Sequence, residues 1–300
     1  MERGSAQVML IAGTVPVTDM PLIFGRVEKE GKKLRVDGHY LPCTQGTMAM
    51  VSAALATTCH LGLEPPRVLL AGDIGTGKGS RLIYQYLIEH IEELAPRVLA
   101  LHYCLPIVTL MQKLYTAVEK CRPRPVLIAD AGSMYAAKAA GVAPYFDIFT
   151  PDPSEIAFLA DPEAVHPAYI SRHLFEDAFA RVPDLIKRAY ANGGAAKCLL
   201  VKGAVDYIVK DGVIADEIKE PDVPQMECIG GTGDTITGMV TAFAYAGLDP
   251  GQAASISAKA NRAAGQRANP TPATSVAEII EQLPGVFREN LCSWSGICTR

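Results

Sequence analysis

The stretch GGTGDTITGM, residues 230–239, gives the strongest indication of the fold. Its three glycines lack a Cβ atom, so the loop amides can close on a ligand. Apolar side chains then recur at i, i+3, i+4 and i+7, which predicts a helix packed against a core. These side chains are Ile236, Met239, Val240 and Phe243. A glycine loop leading into a buried helix N-terminus forms an anion hole, because free N–H groups and the helix dipole both favour negative charge.

The acidic residue at the mouth of this predicted anion hole is Asp234. Its carboxylate can accept a hydroxyl proton there while the loop amides neutralise a phosphoryl group in transfer. We therefore predict that Asp234 is the catalytic base and that the loop binds phosphate. The loop residues are Gly230, Gly231, Thr232 and Gly233. The alternative is that the Gly-Asp pair only caps a helix.

Short β-branched runs alternate with longer helical segments through most of the chain. Strands are expected at 8–12, 68–71, 98–101, 126–130, 147–150 and 198–201. Helices are expected near 47–61, 79–94, 107–119, 133–140, 154–159 and 176–191. The strands read as continuous apolar runs, which predicts an α/β fold with a mostly parallel sheet covered by helices on both faces. Ligands are then expected at the carboxyl ends of the strands.

One antiparallel hairpin is expected at the edge of this sheet. Residues 205–210 and 213–218 flank Asp211-Gly212, a dipeptide that suits a tight turn because glycine tolerates positive φ. Neither a linker nor an internal repeat interrupts the sequence, so we expect a single domain over residues 1–300.

The net charge of −4 and the pI of about 5.9 argue against nucleic-acid or membrane binding. The longest apolar stretch, 48–59, is too short and too rich in Ala and Thr to span a bilayer. The eight cysteines form no CxxC pair, and the sequence shows no signal peptide, so we expect reduced, mostly buried thiols. We therefore expect a cytoplasmic protein that acts on a small molecule and forms a homo-oligomer.

The segments around the glycine loop resemble the ribokinase-like superfamily, most closely its branch of ADP/ATP-dependent NAD(P)H-hydrate dehydratases. The resemblance extends over residues 126–287 and is most specific in GGTGDTITGM. Supporting segments are VLIADAGSM at 126–134, DIFTPDPSEIAFL at 147–159, CLLVKGAVDYIV at 198–209 and SVAEIIEQLP at 275–284. It implies a ribokinase-like three-layer α/β/α sandwich that binds ATP or ADP with Mg²⁺, with Asp234 as the base.

The same resemblance implies further site residues. Lys202 and Gly203 match the family's Lys-Gly pair at the edge of the nucleotide site, and Asn261 falls where the superfamily contacts the nucleoside. Asp130 ends an apolar strand and is expected to face the substrate, although a strand-terminal Asp often only caps a helix. The family's DADAL motif is altered here to DAGSM at 130–134, which keeps only the first acid.

A second departure concerns the segment DPSE at 152–155, where the family has H-x-x-E or N-x-x-E. Glu155, with Asp152 as a weaker candidate, is expected to organise either Mg²⁺ through water or a phosphate. Capping alone also explains this spacing, since Asp at the N-cap, Pro at N1 and Glu at N3 begin many helices.

A competing glycine loop, GDIGTGKGS at residues 72–80, nearly matches the phosphate-binding G-x-x-x-x-G-K-[ST] pattern. Gly79 occupies the position of the Mg²⁺-binding hydroxyl, and Ser80 is one residue late, which turns its side chain by about a hundred degrees on a helix. The resemblance implies a different role, because in the hydrate-dehydratase branch a Gly-rich turn at this position lines the substrate cleft. The substrate-binding candidates in it are Gly75, Gly77 and Lys78.

The first seventy residues resemble the family least, and segment 21–45 is expected to form a β-rich lid or dimer contact. None of the six histidines is expected to be catalytic: His39, His60, His90, His102, His166 and His173. The leading hypothesis is a hydrate dehydratase, followed by a sugar or small-alcohol kinase. A P-loop NTPase on residues 72–80 and a nucleotide-binding protein without turnover remain as further alternatives.

Overall fold

The computed structural model describes residues 8–164 and 182–298. Nine strands of the described residues form one mixed sheet, and three form a small antiparallel sheet. In chain order the strands are β1 (Met9–Val15), β2 (Ile23–Arg26), β3 (Glu28–Glu30), β4 (Lys33–Val36), β5 (His39–Pro42), β6 (Arg67–Gly72), β7 (Val98–His102), β8 (Val126–Asp130), β9 (Ile148–Phe149), β10 (Cys198–Val201), β11 (Asp206–Lys210) and β12 (Val213–Ile218).

Helices cover both faces of the large sheet. They are α1 (Thr47–His60), α2 (Lys78–Leu94), α3 (Val108–Val118), α4 (Gly132–Ala139), α5 (Pro153–Ala160), α6 (Val182–Ala191), α7 (Thr232–Ala246), α8 (Pro250–Ala268), α9 (Val276–Ile280) and α10 (Leu283–Ser295). Short 3₁₀ turns lie at Ala143–Tyr145 and Pro224–Cys228. The six strands and the first five helices expected from the sequence are confirmed. The expected helix at 176–191 is confirmed from Val182, and its first six residues lie outside the described ranges.

The large sheet has the order β12-β11-β10-β9-β8-β7-β1-β6-β2. The pairs from β6 through β1 to β10 are parallel, while β2 and the β11–β12 hairpin pair antiparallel at the two edges. Alternate residues of β1 enter opposite hydrophobic clusters, Leu10 on one face and Ile11 on the other. Both faces of the central strands are therefore buried, which explains their continuous apolar sequences and confirms the three-layer α/β/α architecture.

The edge hairpin and the capping box expected from the sequence are also confirmed. Asp211 and Gly212 both adopt positive φ, 49° and 84°, in the turn of the edge hairpin. Gly247 ends α7 in the left-handed conformation at φ 97°. Asp152 and Glu155 form the expected capping box at the start of α5.

Segment 21–45 is β-rich, as expected. Strand β2 joins the edge of the large sheet beside β6, and β3, β4 and β5 form the separate three-stranded sheet. The role of this segment as a lid or dimer contact remains a prediction.

The expectation that all the cysteines are reduced is wrong for one pair. Cys292 and Cys298 form a disulfide, while the other six cysteines are free. Gly296 ends α10 with φ 73°, which reverses the chain and brings the Cα atoms of the two cysteines to 4.5 Å. Within the described residues, no helix combines the length and the apolar character needed to cross a bilayer.

Helix α1 packs unusually close to α7, through small residues on both helices. A Cβ atom built on Gly238 would lie 2.1 Å from the carbonyl oxygen of Met50 and 3.1 Å from the Cβ of Ala53. The side chains of Ala49 and Ala53 are fully buried at this contact. The absence of a Cβ at 238 therefore sets how deeply α1 can seat against α7.

We predict that Gly238→Ala lowers the free energy of unfolding by about 2–3 kcal/mol, because the added methyl group pushes the backbone of α1 away. Gly233→Ala in the same helix is the matched control. Its methyl group meets only the flexible Lys202 side chain at 3.5 Å, so it should be neutral or stabilising by up to about 1 kcal/mol. Chemical denaturation measures both variants, and equal stabilities would contradict this account of the helix contact.

Candidate active site

The candidate site lies at the carboxyl ends of the central parallel strands. Gly13 of β1 pairs with His102 of β7, and His102 pairs in turn with Asp130 of β8. Gly13 leaves room here, since a Cβ on it would lie 2.6 Å from the carbonyl oxygen of His102 and 2.8 Å from Thr47. The carboxyl ends of three neighbouring strands therefore place two ionisable side chains at one edge of the sheet. The missing side chain of Gly13 lets Thr47 approach them.

Asp130 is 2% exposed and is held by one cation, one hydroxyl and the backbone amide of Ala131 at 2.9 Å. Lys202, just beyond β10, places its Nζ 2.9 Å from Oδ2 and 3.1 Å from Oδ1 of Asp130. Thr237 of α7 donates its hydroxyl to Oδ2 of the same carboxylate. Burial alone would raise the pKa of Asp130, but Lys202 and then His102 outweigh burial and lower it. Asp130 is therefore ionised.

Asp234 is the third residue of α7 and faces the same edge of the sheet. Its Oδ2 accepts a hydrogen bond of 2.8 Å from the backbone amide of Gly46, which precedes α1. Its Oδ1 lies 3.1 Å from Nε2 of His102. The carboxylate is thus fixed from two directions by segments far from it in sequence.

His102 is fully buried and its hydrogen bonds define its protonation state. The hydroxyl of Thr47 donates to the carbonyl oxygen of Thr14 at 2.6 Å, so it must accept from Nδ1–H of His102 at 2.9 Å. Nε2 lies 3.1 Å from Asp234 and 3.7 Å from Asp130 without an aligned hydrogen bond to either. Two carboxylates beside Nε2 require a proton there as well, which makes the ring an imidazolium.

The electrostatics of the cluster support this assignment. Burial alone would lower the pKa of His102, but the carboxylates of Asp130 and Asp234 outweigh it and raise the pKa to about 9. Burial would also lower the pKa of Lys202, yet Asp130, Glu155 and Asp234 together raise it. Two cations and two carboxylates therefore compensate one another inside the protein.

The N-terminus of α7 leaves backbone donors free. Within the ranges 8–164 and 182–298, the amides of Thr232, Gly233 and Asp234 have no hydrogen-bond acceptor. Lys202 stands beside them, because a Cβ built on Gly233 would lie 3.5 Å from its Nζ. Free amides and an adjacent ammonium group form a site that suits a phosphate.

Glu155 and Asp152 each use one oxygen in the capping box of α5. Oδ1 of Asp152 accepts from the amides of Ser154 and Glu155, and Oε2 of Glu155 accepts from the amide of Asp152. Burial, followed by repulsion from Asp130, raises the pKa of Glu155 to about 8. Both carboxylates keep a second oxygen without a hydrogen-bond partner among the described residues, and both residues line the cavity described next.

A cavity of about 550 Å³ gathers most of the residues that the sequence singled out. The predicted site residues that line it are Asp130, Asp152, Glu155, Lys202, Gly203, Thr232, Gly233, Asp234 and Asn261. Gly230 and Gly231 are not in its lining. They face Gln45, whose Oε1 would lie 2.5 Å from a Cβ on Gly230. Their place in the phosphate site remains a prediction, as do the individual roles of the residues that line the cavity.

In the second glycine loop, residues 72–80, the backbone amides donate to an acidic residue of the same loop. Asp73 accepts hydrogen bonds from the amides of Gly75, Gly77 and Ser80, each at 3.0 Å, and from the Ser80 hydroxyl. Burial alone would raise the pKa of Asp73, but these donors lower it. A carboxylate therefore fills the position that a phosphate takes in a P-loop, which argues against the NTPase alternative. Gly75, Gly77 and Lys78 do not line the 550 Å³ cavity, and their role in substrate binding remains a prediction.

Helix α8 holds the far wall of the cavity in place. The guanidinium of Arg262 bonds Asp206 at 2.7 Å and the carbonyl oxygens of Gly203 and Ala204 at 2.8 and 2.9 Å. Asn261 accepts a 2.6 Å hydrogen bond from the Thr235 hydroxyl and lies in the cavity wall. The contacts of Arg262 fix the Lys-Gly segment to α8.

Sequence reasoning missed several residues of the site, His102 above all. That no histidine is catalytic remains a prediction, but the structure places Nε2 of His102 3.1 Å from Asp234; His166 and His173 lie outside the described residues. The available signal was its position, since it ends the apolar strand β7 as Asp130 ends β8. The contacts of Gly46 and Thr47 with Asp234 and His102 had no signal in the sequence.

The site also contains strained backbone. Tyr103 and Ala131, which directly follow His102 and Asp130, adopt φ values of 53° and 52°. Non-glycine residues at positive φ cost of order 1–3 kcal/mol each and cluster at functional sites. Both residues line the cavity, so the strain lies at the same strand ends as the charged cluster.

The fold and the site together define a ribokinase-like α/β protein. A family model described as NAD(P)H-hydrate dehydratase, of the carbohydrate kinase group, matches residues 97–284, and the chain belongs to this family.

Two curated relatives extend the comparison. An uncharacterized protein of Methanocaldococcus jannaschii is 39% identical over 242 residues, which cover 81% of this chain and all of that protein. The bifunctional NAD(P)H-hydrate repair enzyme Nnr of Pyrobaculum aerophilum is 36% identical over 104 residues, 34% of this chain and 20% of that protein.

Solved structures agree on the fold. A mutant of phosphofructokinase-2 from Escherichia coli matches with a TM-score of 0.53 and 17% identity, covering 94% of this chain and 99% of that one. Pyridoxal kinase from Entamoeba histolytica matches with a TM-score of 0.50 and 11% identity, covering 93% and 96%. The ribokinase-like fold predicted from the sequence is confirmed.

A pH-dependent stability should reveal the buried imidazolium. The pKa of His102 is raised from an ordinary value near 6.5 to about 9 in the folded protein. The stabilisation is therefore fully present below pH 6.5 and is lost as the pH rises through 9. We predict that His102→Asn, which can keep the Thr47 hydrogen bond, lowers the free energy of unfolding by roughly 3 kcal/mol at pH 6.

The difference in free energy of unfolding between His102→Asn and the wild type should decrease steadily between pH 7 and pH 10. His39→Asn, at an exposed position of β5, serves as the control and should show no such dependence. Denaturation curves across this pH range provide the measurement, and a constant gap would mean that His102 is not charged.

Proposed function

We propose that this protein transfers a phosphoryl group from ATP or ADP to a small-molecule hydroxyl, with hydrated NADH or NADPH as the substrate. The proposal is carried by one observation. Asp234 lies in a single cavity with the free amides of Thr232 and Gly233 and the ammonium of Lys202. The substrate is inferred from the family match over residues 97–284, whose description is NAD(P)H-hydrate dehydratase.

In the first step, Asp234 accepts the proton of the substrate hydroxyl. The hydroxyl oxygen then bonds to the terminal phosphorus of the nucleotide, and the bond from that phosphorus to the bridging oxygen breaks. The amides at the start of α7 and Lys202 stabilise the negative charge on the phosphoryl oxygens. The imidazolium of His102 lies beside Asp234 and the amide of Gly46 donates to it, so the carboxylate is held in place at the wall of the cavity.

In the second step, the carbon–oxygen bond breaks and phosphate leaves with the bonding electrons. The lone pair of the neighbouring ring nitrogen supports this departure, and loss of a proton from the adjacent carbon restores the dihydronicotinamide ring. The same anion hole that binds the transferring group holds the departing phosphate. No oxidant is required, because hydration and dehydration leave the oxidation state of the ring unchanged.

Magnesium would enter with the nucleotide, and the residues of the capping box suit it. Oδ2 of Asp152 and Oε1 of Glu155 have no hydrogen-bond partner among the described residues and belong to cavity-lining side chains. Oxygen ligands are those that Mg²⁺ prefers, directly or through water. A divalent cation there would also relieve the burial and repulsion that raise the pKa of Glu155.

A second group could also take a metal ion by geometry alone. Ligand atoms of His102, Asp130 and Asp234 lie within 4.8 Å of one another. The imidazolium and Lys202 already neutralise these two carboxylates, and His102 would have to lose the Nε2 proton to bind a metal. We therefore assign this group to positioning the base.

A sugar or small-alcohol kinase is the alternative function, because it needs the same base and the same anion hole. A P-loop NTPase is disfavoured by the hydrogen bonds of Asp73, and a nucleotide-binding protein without turnover would retain the cavity without the reaction. We further propose a cytoplasmic location and a homo-oligomer, both as predictions from the sequence.

The decisive assay supplies purified protein with Mg²⁺, ATP or ADP, and hydrated NADH. We predict that the absorbance of reduced nicotinamide returns and that free phosphate appears at the same rate. Asp234→Asn, which keeps the size of the side chain, should lower turnover by at least about two orders of magnitude. Unchanged nucleotide binding by Asp234→Asn, measured by thermal shift, controls for loss of the fold.

Two other results would redirect the assignment. Nucleotide binding without any response to hydrated NADH would exclude the dehydratase and favour a kinase for another hydroxyl. Full turnover by Asp234→Asn would exclude the proposed base.

A final prediction separates the two glycine loops. Gly233→Val places a branched side chain beside Lys202 at the helix N-terminus, whereas Gly231 at φ 100° is too crowded for a clean test. We predict that Gly233→Val abolishes stabilisation of the protein by ATP or ADP, while Lys78→Ala retains most of it. Gly233→Ala controls for the loss of glycine, and the opposite pattern would favour the loop at 72–80.

A further inference from the structure

A second cavity, of about 780 Å³, lies away from the charged cluster. Strands β3 and β4 of the small sheet form one wall, and helix α1 forms another. The third wall comes from α9 and the start of α10. It shares no lining residue with the 550 Å³ cavity among the described residues, and the proposed reaction does not use it.

The interior of this cavity is apolar. Val27, just before β3, Leu34 from the small sheet, Leu55 from α1 and Ile280 from α9 contribute, and each is at most 6% exposed. Ala56 and Ala277 leave the space between these larger side chains open. A volume within the usual 300–1,000 Å³ and a mostly hydrophobic wall are typical of small-molecule sites.

The rim of the cavity carries an excess of positive charge. Its four cations, all exposed, are Lys29, Lys32, Lys33 and Arg288. None of them forms an ion pair within residues 8–164 and 182–298. Of the two acids in the lining, Glu28 is paired with Arg35, which leaves Glu281 as the opposing charge.

Two side chains that line the cavity, His60 and Cys43, lie near these cations. Burial lowers the pKa of His60, and Arg288 lowers it further. Burial and, more weakly, Glu281 raise the pKa of Cys43, while a hydrogen bond with Ser52 and then the charge of Lys29 lower it. Cations that are felt by side chains of the wall can also be felt by a ligand, at distances where charges are only partly screened.

We propose that this cavity binds a small organic anion with an apolar body and one acidic head group, such as a medium-chain carboxylate or an aromatic sulfonate. The apolar wall takes the body, and the cations of the rim take the head group. A neutral or cationic molecule of the same size would lack the second interaction. The site is separate from the proposed active site, so it does not depend on the proposed function.

Helix α1 is common to both sites. Its first turn supplies Thr47 to His102 and follows Gly46, the partner of Asp234. Its later residues, among them Leu55 and Cys59, line the second cavity. A ligand in this cavity would therefore contact the helix that holds the base.

The test uses 8-anilinonaphthalene-1-sulfonate as the probe, titrated into the intact chain and followed by its fluorescence. Octanoate should displace the probe, whereas octylammonium, of the same length and opposite charge, should not. The double variant Lys29→Ala/Arg288→Ala should weaken the affinity roughly ten-fold, since each exposed charge contributes about two- to five-fold. Lys113→Ala, an exposed lysine of α3 outside the cavity, is the control and should bind as wild type.

Thiol labelling locates the bound probe. Cys59 lines the cavity and is exposed, while Cys228 is exposed elsewhere, so both can be alkylated and counted by mass spectrometry. Octanoate should slow the labelling of Cys59 and leave that of Cys228 unchanged. Cys59→Trp, which fills the mouth from an exposed position, should abolish probe binding.

The outcomes are distinct. Equal displacement by octylammonium would overturn the charge requirement, and equal protection of the two cysteines would overturn the location. Binding that survives both Cys59→Trp and the double variant would overturn the site itself. ATP or ADP binding to these variants should stay at the wild-type level, which separates this proposal from that of the active site.

Discussion

The structure depends on a buried charge cluster at the carboxyl ends of the central strands. Asp130 is almost completely buried, and an ionised carboxylate in that position is tolerable only because Lys202 and His102 compensate it. His102 is itself buried and charged, and it is tolerable only because Asp130 and Asp234 face it. Removing one member leaves the charge of another buried without a partner. The resulting loss of stability exceeds the net stabilisation that the intact cluster provides.

Chain segments distant in sequence must meet for this cluster to form. The strands bring His102 and Asp130 side by side in register, and α7 brings Asp234 over them. The start of helix α1 completes the arrangement, because the amide of Gly46 donates a hydrogen bond to Asp234. This hydrogen bond requires the backbone of α1 to lie close to α7. Only a residue without a Cβ at position 238 allows that close contact. Packing of small residues in the core thus controls the geometry of the proposed base.

The two glycine loops show that the function of a motif depends on the side chains that surround it in the folded protein. Both have glycines before a helix, and both look suited to phosphate in the sequence. In one, Asp73 folds back and takes the amides itself. In the other, the amides of Thr232 and Gly233 have no acceptor in the described part of the chain, because Asp234 turns away towards Gly46 and His102. The difference lies in the direction of one carboxylate.

The sequence by itself determined the strands and the helices with described counterparts, the edge hairpin and several helix caps. These depend on contacts among residues near in the chain or on burial that shows as an apolar run. It also singled out Asp130, Lys202 and Asp234, since chemistry-bearing residues stood at strand ends or after glycines. Only the tertiary structure decided that His102 joins them and that Cys292 and Cys298 pair. Both outcomes come from distances between folded segments, and the charge of a buried histidine is set by partners that no local pattern encodes.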